Sequence, residues 1–437
     1  MIYEFADVLG RRLVAWGVFS VLVGAAALLT GDAFWRGVGA MFVAWGAVDL
    51  GIGVVARRMA EAGRKRTIGN TEARTRETHR IRRILLLNAA LDVLYVLGGL
   101  WFGLGIGVGL TAAGDAWRAG VGLGIVLQGA FLLAFDLVHA RWVPAPGPLL
   151  PEGIDLFAGP SHDPFRLSLA DASGTPPVNG ALLVHGFAGS PREMRALAAV
   201  LASNGFLVEV PRLPGHGPEI RDIADYRLED WVATVEAGAA HLREAGVRRL
   251  LVVGHSAGGA LALATAAKVA PDALVLLAPF CWPTAAWQRA LGPLIRVVLP
   301  PGFRIFSRMD LSGEEARTAL AAFLPGMDLD DPAVLDGLRQ LQVPTSALEQ
   351  LFRVSRAAEV AAASLDVPVL GIQGLADTVS QPTRTRALLD RLPAPPSYLE
   401  VDAAHDLASE KSPVRDEVLA AVLAFAKETT RHSPFRG

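Results

Sequence analysis

The sequence predicts a two-part protein: an α-helical four-helix transmembrane domain, then an α/β domain with a mostly parallel sheet covered by helices on both faces. Three observations predict it. The 437 residues are 52% hydrophobic and only 19% charged, with a mean hydropathy of +0.37, whereas ordinary soluble domains carry about 25% charged residues. All the long apolar stretches lie before residue 145. Beyond residue 165, short apolar runs alternate with longer helical segments, the pattern of a parallel sheet. Charge divides the same way: residues 1–150 hold 15 Lys and Arg against 10 Asp and Glu, and the remainder 26 against 33. Several classes are excluded. The chain is too apolar for intrinsic disorder. Its one cysteine, Cys281, rules out a disulfide framework or a multi-cysteine metal site. A net charge of −2 offers no basic footprint for nucleic acid.

The transmembrane domain, residues 1–143, rests on apolar stretches over about 13–29, 37–56, 84–110 and 117–140. Each approaches the roughly 20 apolar residues that cross a bilayer. The first, following Arg11 and Arg12, also fits a signal peptide. An internal repeat supports two tandem helix hairpins. A shift of 83 residues places Gly31-Asp32-Ala33 on Gly114-Asp115-Ala116, Gly37-Val38-Gly39 on Gly120-Val121-Gly122, and Gly46-Ala47 on Gly129-Ala130. Ten Lys and Arg residues from Arg57 to Arg83 separate the second and third stretches, while the other two connections carry only Arg36 and Arg118. Basic residues stay cytoplasmic, so this segment, and with it everything after the fourth helix, is expected in the cytoplasm. Asp49, Asp92 and Asp136 fall inside the helices, where a carboxylate suggests function. Pairing with Arg58, Arg83 or Arg141 is the plainer expectation, and the expected role of this domain is anchoring.

Residues 144–164 form a stiff linker containing Pro144, Pro146, Pro148 and Pro151. The second domain, residues 165–430, follows. Strands are expected at 165–169, 180–185, 206–210, 250–254, 273–278, 367–371 and 397–401. Helices are expected at 191–203, 228–245, 257–270 and 413–427.

The chemistry concentrates at strand ends. Gly254-His255-Ser256-Ala257-Gly258 is a G-x-S-x-G between an apolar strand and an Ala-rich helix. That context is the nucleophile elbow, a sharp turn that lifts the Ser256 hydroxyl above the sheet. A tetrahedral intermediate needs two N–H donors aimed at its oxyanion. Ala257, after the nucleophile, is one candidate, and Phe187, in the loop His185-Gly186-Phe187-Ala188-Gly189-Ser190-Pro191, is the other. His185 precedes the elbow and is expected to pack against its loop. Acid and base should follow the serine in the order Ser, Asp, His. Asp377 lies past the strand that leads into Gly374-Leu375-Ala376, and His405 just past the last strand, with Asp402 and Asp406 as rival acids. His432 sits in a polar tail and is a poor candidate for the base. In this assignment His405 takes the Ser256 proton and Asp377 holds the imidazole.

These motifs, with Pro214-Gly215-His216-Gly217, make residues 165–430 resemble the α/β-hydrolase superfamily, specifically its serine carboxylesterase and monoacylglycerol lipase branch. The resemblance implies an ester or thioester hydrolase that works through an acyl-enzyme and needs neither metal nor organic cofactor. It implies a helical lid over about 281–366. The expected substrate-pocket residues are His216, for which a plain turn is the equal alternative, and the lid residues Trp282 and Trp287. Arg289, Arg296, Arg304 and Arg308 belong to the same insertion, where lipid phosphates are possible partners. Cys281, at its border, is expected to be a buried structural thiol. The expected partners are a lipid bilayer and an ester-containing small molecule or lipid, such as an acylglycerol or lysolipid. No nucleic acid is expected, and no protein partner is indicated. Two alternatives stay open: a transporter or sensor with a regulatory hydrolase-fold domain, and a peptidase or acyltransferase using the same three residues.

Overall fold

The computed structural model describes residues 2–68, 70–105, 112–144, 157, 159–168, 178–282, 302–303, 313, 330–340, 343–407, 409 and 412–432. They fall into two compact units.

The first unit is helical: α1 (Ile2–Leu28), α2 (Ala33–Arg66), α3 (Thr71–Leu104) and α4 (Ala112–Trp142). All four are long and apolar enough to cross a membrane. Their outer faces carry bare apolar side chains such as Leu22, Leu94 and Trp101. α1 packs along α2, α3 along α4, and α2 along α4, the arrangement expected of two hairpins. Repeat-related glycines do equivalent work. A Cβ on Gly39 of α2 would lie 2.6 Å from Gly24 O of α1, and one on Gly122 of α4 would lie 2.4 Å from Gly103 Cα of α3. Gly37 and Gly120 face the centre, where a Cβ would meet Trp117 O at 2.3 Å and Phe34 O at 1.9 Å respectively. Small residues at these points let the helix backbones touch.

The helices differ from expectation in extent. α1 starts at Ile2, well before the apolar run, because Ile2, Tyr3 and Phe5 are themselves buried. The basic connection is helical too, leaving only residues 67–70 between α2 and α3. Its Arg, Lys, Glu and Ala are strong helix formers. Glu–Arg spacing adds Glu72–Arg76 across one turn, and Asn70 Oδ1 caps α3 by accepting from Ala73 N at 2.9 Å. The expected pairing of the three aspartates with arginine is not found. Among the described residues none of them forms an ion pair, and Asp49 Oδ2 and Asp92 Oδ2 are buried without a partner. For Asp49 and Asp92 the cause is helical rise, since Arg58 and Arg83 stand nine residues, about 13 Å, away; five residues turn Arg141 about 140° from the face of Asp136.

The second unit is built on a seven-stranded sheet: β1 (Phe165–Leu167), β2 (Asn179–Val184), β3 (Phe206–Val210), β4 (Arg249–His255), β5 (Ala273–Leu277), β6 (Val369–Gly374) and β7 (Ser397–Val401). The order is β1-β3-β2-β4-β5-β6-β7. Only β1 is antiparallel to its neighbour. α5 (Arg195–Ser203) and α11 (Arg415–His432) cover one face, with Leu197, Leu201, Val418 and Val422 in the same core as Val253 and Val275. On the other face α6 (Leu228–Glu244) and α7 (Ala257–Val269) pack together. β2, β4 and β5 are hydrophobic almost without interruption because both their faces are buried.

β6 begins two residues later than expected, after Pro368, which has no N–H to give a ladder. It runs on to Gly374 because β7 pairs with it through Val401. Among the described residues three helices escaped the sequence reading: α8 (Pro332–Gln340), α9 (Thr345–Ala362) and α10 (Pro382–Leu389). α9 lies inside the expected lid interval yet packs along α7. Its Gln350 Oε1 accepts from Leu228 N at 3.1 Å. Most of that interval, including Trp287, Arg289, Arg296, Arg304 and Arg308, lies outside the described residues.

Candidate active site

The site forms where β2, β4, β6 and β7 end. Ser256 sits between β4 and α7 with φ 53° and ψ −120°, a conformation that costs a non-glycine residue energy and survives only under surrounding constraint. The constraint is visible on both sides. Ser256 N donates to Leu277 O at 2.8 Å, and Ser256 O accepts from Phe280 N at 2.9 Å. The flanking glycines are required by contact: a Cβ on Gly254 would lie 2.3 Å from Gly258 O, and one on Gly258 2.3 Å from Val184 O.

His405, on the loop after β7, has Nε2 2.8 Å from Ser256 Oγ. Its Nδ1 is 2.8 Å from Asp377 Oδ2. Asp377, past the end of β6, is anchored through both oxygens. Oδ1 accepts from Val379 N at 2.8 Å and Ser380 N at 2.9 Å. Oδ2 also accepts from Gln373 Nε2 at 3.0 Å. Gln373 is itself held by Thr385 Oγ1, which donates to its Oε1 at 2.7 Å. Burial pushes the Asp377 carboxyl upward, but the hydrogen bond and charge of His405, with the Ser380 and Gln373 donors, hold it below the ordinary carboxylate value. The rival acids are elsewhere: Asp402 is exposed, and Asp406 accepts from Ser409 N at 3.1 Å.

Ala257 is the first residue of α7, so its N–H belongs to a helix N-terminus. Phe187 follows Gly186, whose backbone passes close enough to the serine that a Cβ there would lie 3.5 Å from Ser256 Cβ. The loop closes as a turn, with Gly189 N donating to Gly186 O at 3.3 Å and Ala188 at φ 58°. The Phe187 ring meets His216 edge-on at 5.7 Å. His216 is buried under it and against Trp231, and burial with the neighbouring His185 lowers its pKa to about 3, so it is neutral. The turn carrying it needs its glycines, with φ 76° at Gly215 and 59° at Gly217. His185 is fully buried; its Nε2 accepts from Leu213 N at 3.1 Å and its Nδ1 lies 2.9 Å from Gly186 O. Trp282 is half-exposed, with the Arg384 guanidinium 4.3 Å above its ring and Phe352 at its edge. Cys281 is buried, and burial first, with Glu359 nearby, raises its thiol to about 11.

Sequence reasoning missed a buried ion pair behind the serine. Glu193 Oε2 accepts from Gly186 N at 3.1 Å, its Oε1 accepts from Ser190 N at 3.2 Å, and His255 Nδ1 lies 3.4 Å from Oε2. The opposite nitrogen, His255 Nε2, lies 3.0 Å from His405 O. Burial opposes charge on both groups. The hydrogen bond and charge of Glu193 still raise His255 to about 9, and Glu193 is held below its ordinary value. A doubly protonated His255 therefore links the loop of Phe187 to the backbone of His405. Ser190-Pro191-Arg192-Glu193, a Ser with Glu three residues on, was the available signal, and it reads as a helix start.

Residues 176–412, more than half of the chain, match the family described as serine aminopeptidase, S33. Residues 12–137 match a family of unknown function. A thermostable monoacylglycerol lipase of Bacillus sp. (strain H-257) is 45% identical over 84 residues, 19% of this chain and 33% of that protein. A carboxylesterase of Bacillus subtilis (strain 168) is 30% identical over 102 residues, 23% of this chain and 40% of that protein. The chain thus spans a third to two fifths of these relatives' length. The crystal structure of Paleococcus ferrophilus monoacylglycerol lipase aligns at TM-score 0.46 and 18% identity, over 61% of this chain and 99% of that one. On the family match, carried by the region that holds Ser256, Asp377 and His405, the chain belongs to the serine aminopeptidase S33 family of the α/β-hydrolase superfamily.

Proposed function

We propose that this protein is a membrane-anchored serine hydrolase that cleaves carboxylic esters of lipid type, such as acylglycerols or lysolipids. The observation that carries the reading is the continuous chain of contacts from Ser256 Oγ through His405 to Asp377, each step 2.8 Å. In this reading His405 Nε2 takes the hydroxyl proton as Ser256 Oγ attacks the ester carbonyl, and Asp377 stabilises the resulting imidazolium. The N–H groups of Phe187 and Ala257 receive the oxyanion. Collapse breaks the C–O bond, and His405 gives its proton to the departing alcohol. Water, deprotonated by His405, then attacks the acyl-enzyme and releases the acid. Residues 1–143 anchor the enzyme through four spans, 144–164 connect, and 165–430 carry the chemistry on the cytoplasmic side. The monoacylglycerol named in one relative's description, and the four long apolar helices, support a lipid-like ester.

A fluorophosphonate probe on the purified full-length protein tests the proposal. It should label Ser256, and Ser256→Ala should abolish labelling together with hydrolysis of a monoacylglycerol. An unlabelled, folded wild type defeats the proposal.

A further inference from the structure

The helical unit contains a cavity of about 710 Å³, lined by residues of all four of its helices. That volume is ordinary for a small-molecule site. Most of the lining is apolar, and one region of it is not: Asp49 from α2, Asp92 from α3 and Asp136 from α4 all face the cavity, close enough to feel one another's charge. Asp49 is 2% exposed, and its Oδ2 is one of two orphaned carboxylate oxygens there, with Asp92 Oδ2. Asn88 bonds Asp136. Trp45 and Tyr95, edge to face at 4.9 Å, line the same region. The lining arginines, Arg66 and Arg80, stand 17 and 12 residues along their helices from Asp49 and Asp92, about 25 and 18 Å away, and Arg80 reaches Glu77 at 3.3 Å.

We propose that this cavity binds an organic cation, an ammonium group on an apolar body, with Asp49, Asp92 and Asp136 supplying the counter-charge and Trp45 and Tyr95 an aromatic wall. Three carboxylates from three helices, uncompensated by any cation among the described residues, are a set of like charges that a bound positive group relieves without protonation. Aromatic faces beside them suit a weakly hydrated ammonium. A bare metal ion would need a tight oxygen shell, yet the cavity is far larger than such a shell and mostly apolar. The apolar remainder accommodates the body of the ligand.

Benzyltrimethylammonium is the probe, titrated calorimetrically into the full-length protein in dodecyl maltoside micelles, in amine-free potassium phosphate buffer. Saturable binding is expected. Asp49→Asn should weaken it at least about ten-fold, the loss of one close counter-charge, and Asp49→Glu should restore most of it. Asp92→Asn, at a half-exposed position, provides the same test if Asp49→Asn fails to elute as a folded protein. The uncharged isostere neopentylbenzene should not compete. Absence of saturable binding, equal affinity in wild type and both Asn variants, or equal competition by neopentylbenzene overturns the proposal. Saturable sodium binding that is lost in Asp49→Asn, without any benzyltrimethylammonium binding, also overturns it and makes the cluster a metal-ion site.

Discussion

At the scale of single residues, the three strand-end residues were legible because each carries its own signal. Ser256 lies in a patterned turn, and Asp377 and His405 follow it in order. Glu193 and His255 were not, because nothing local distinguishes them: His255 occupies the free position of G-x-S-x-G, and Glu193 reads as a first-turn acid. Only the fold brings them together, 62 residues apart in the chain. Their pairing has a pH signature. His255 is raised from 6.5 to about 9, so its contribution to stability is complete below about 6.5 and disappears as pH climbs through 9. Glu193 is lowered from 4.5, so its contribution is present above 4.5 and is lost in acid below that. The pair therefore stabilises most between about 4.5 and 6.5. Glu193→Gln leaves His255 buried without its counter-ion, a loss of about 3 kcal/mol at pH 6. Thermal unfolding should show that deficit shrinking steadily towards pH 10. A deficit independent of pH would mean that Glu193 acts only through its backbone donors, Gly186 and Ser190.

At the scale of elements, period and punctuation located every strand of the main sheet, and misjudged ends wherever pairing or capping decides them. β6 continues past its apolar run because its partner does, and α2 and α3 continue through charged sequence because that sequence is helix-forming. α10 was missed because Pro382-Thr383-Arg384-Thr385 looks like a loop, although proline is well tolerated in a first helical turn. The helical unit adds a contrast that apolar periodicity alone does not reveal, since its glycines are not equivalent. Nothing lies within 4 Å of a Cβ on Gly98, whereas one on Gly122 would lie 2.4 Å from Gly103 Cα. Gly98→Ala should therefore leave stability unchanged or raise it by up to about 1 kcal/mol. Gly122→Ala should force α3 and α4 apart and cost about 1–3 kcal/mol. Melting of the two variants in the same detergent compares them directly. Equal midpoints would remove the argument that α3 and α4 meet through backbone contact.

At the scale of the whole molecule, the over-apolar composition and near-zero net charge are averages of unlike parts. Two family matches make the same division, one ending at residue 137 and the other beginning at 176, either side of the proline-rich segment. The sheet unit also has a core of its own. The cluster around Val253 and Val275 draws on β2, β3, β4, β5, β6 and β7 with α5 and α11, and among the described residues on none before 165. A core complete within one stretch of chain is what independent folding requires. Residues 146–437, expressed alone, should accordingly be soluble and anionic, and should hydrolyse a short-chain soluble ester with kcat/KM within about three-fold of the full-length protein. On a long-chain monoacylglycerol dispersed in vesicles, the truncated protein should fall behind, because the anchored enzyme meets its substrate at the bilayer at a far higher effective concentration. Equal rates on both substrates would reduce the helices to a role outside substrate delivery. A truncated protein that is folded but unreactive towards both esters would mean that the helical unit contributes to the chemistry itself.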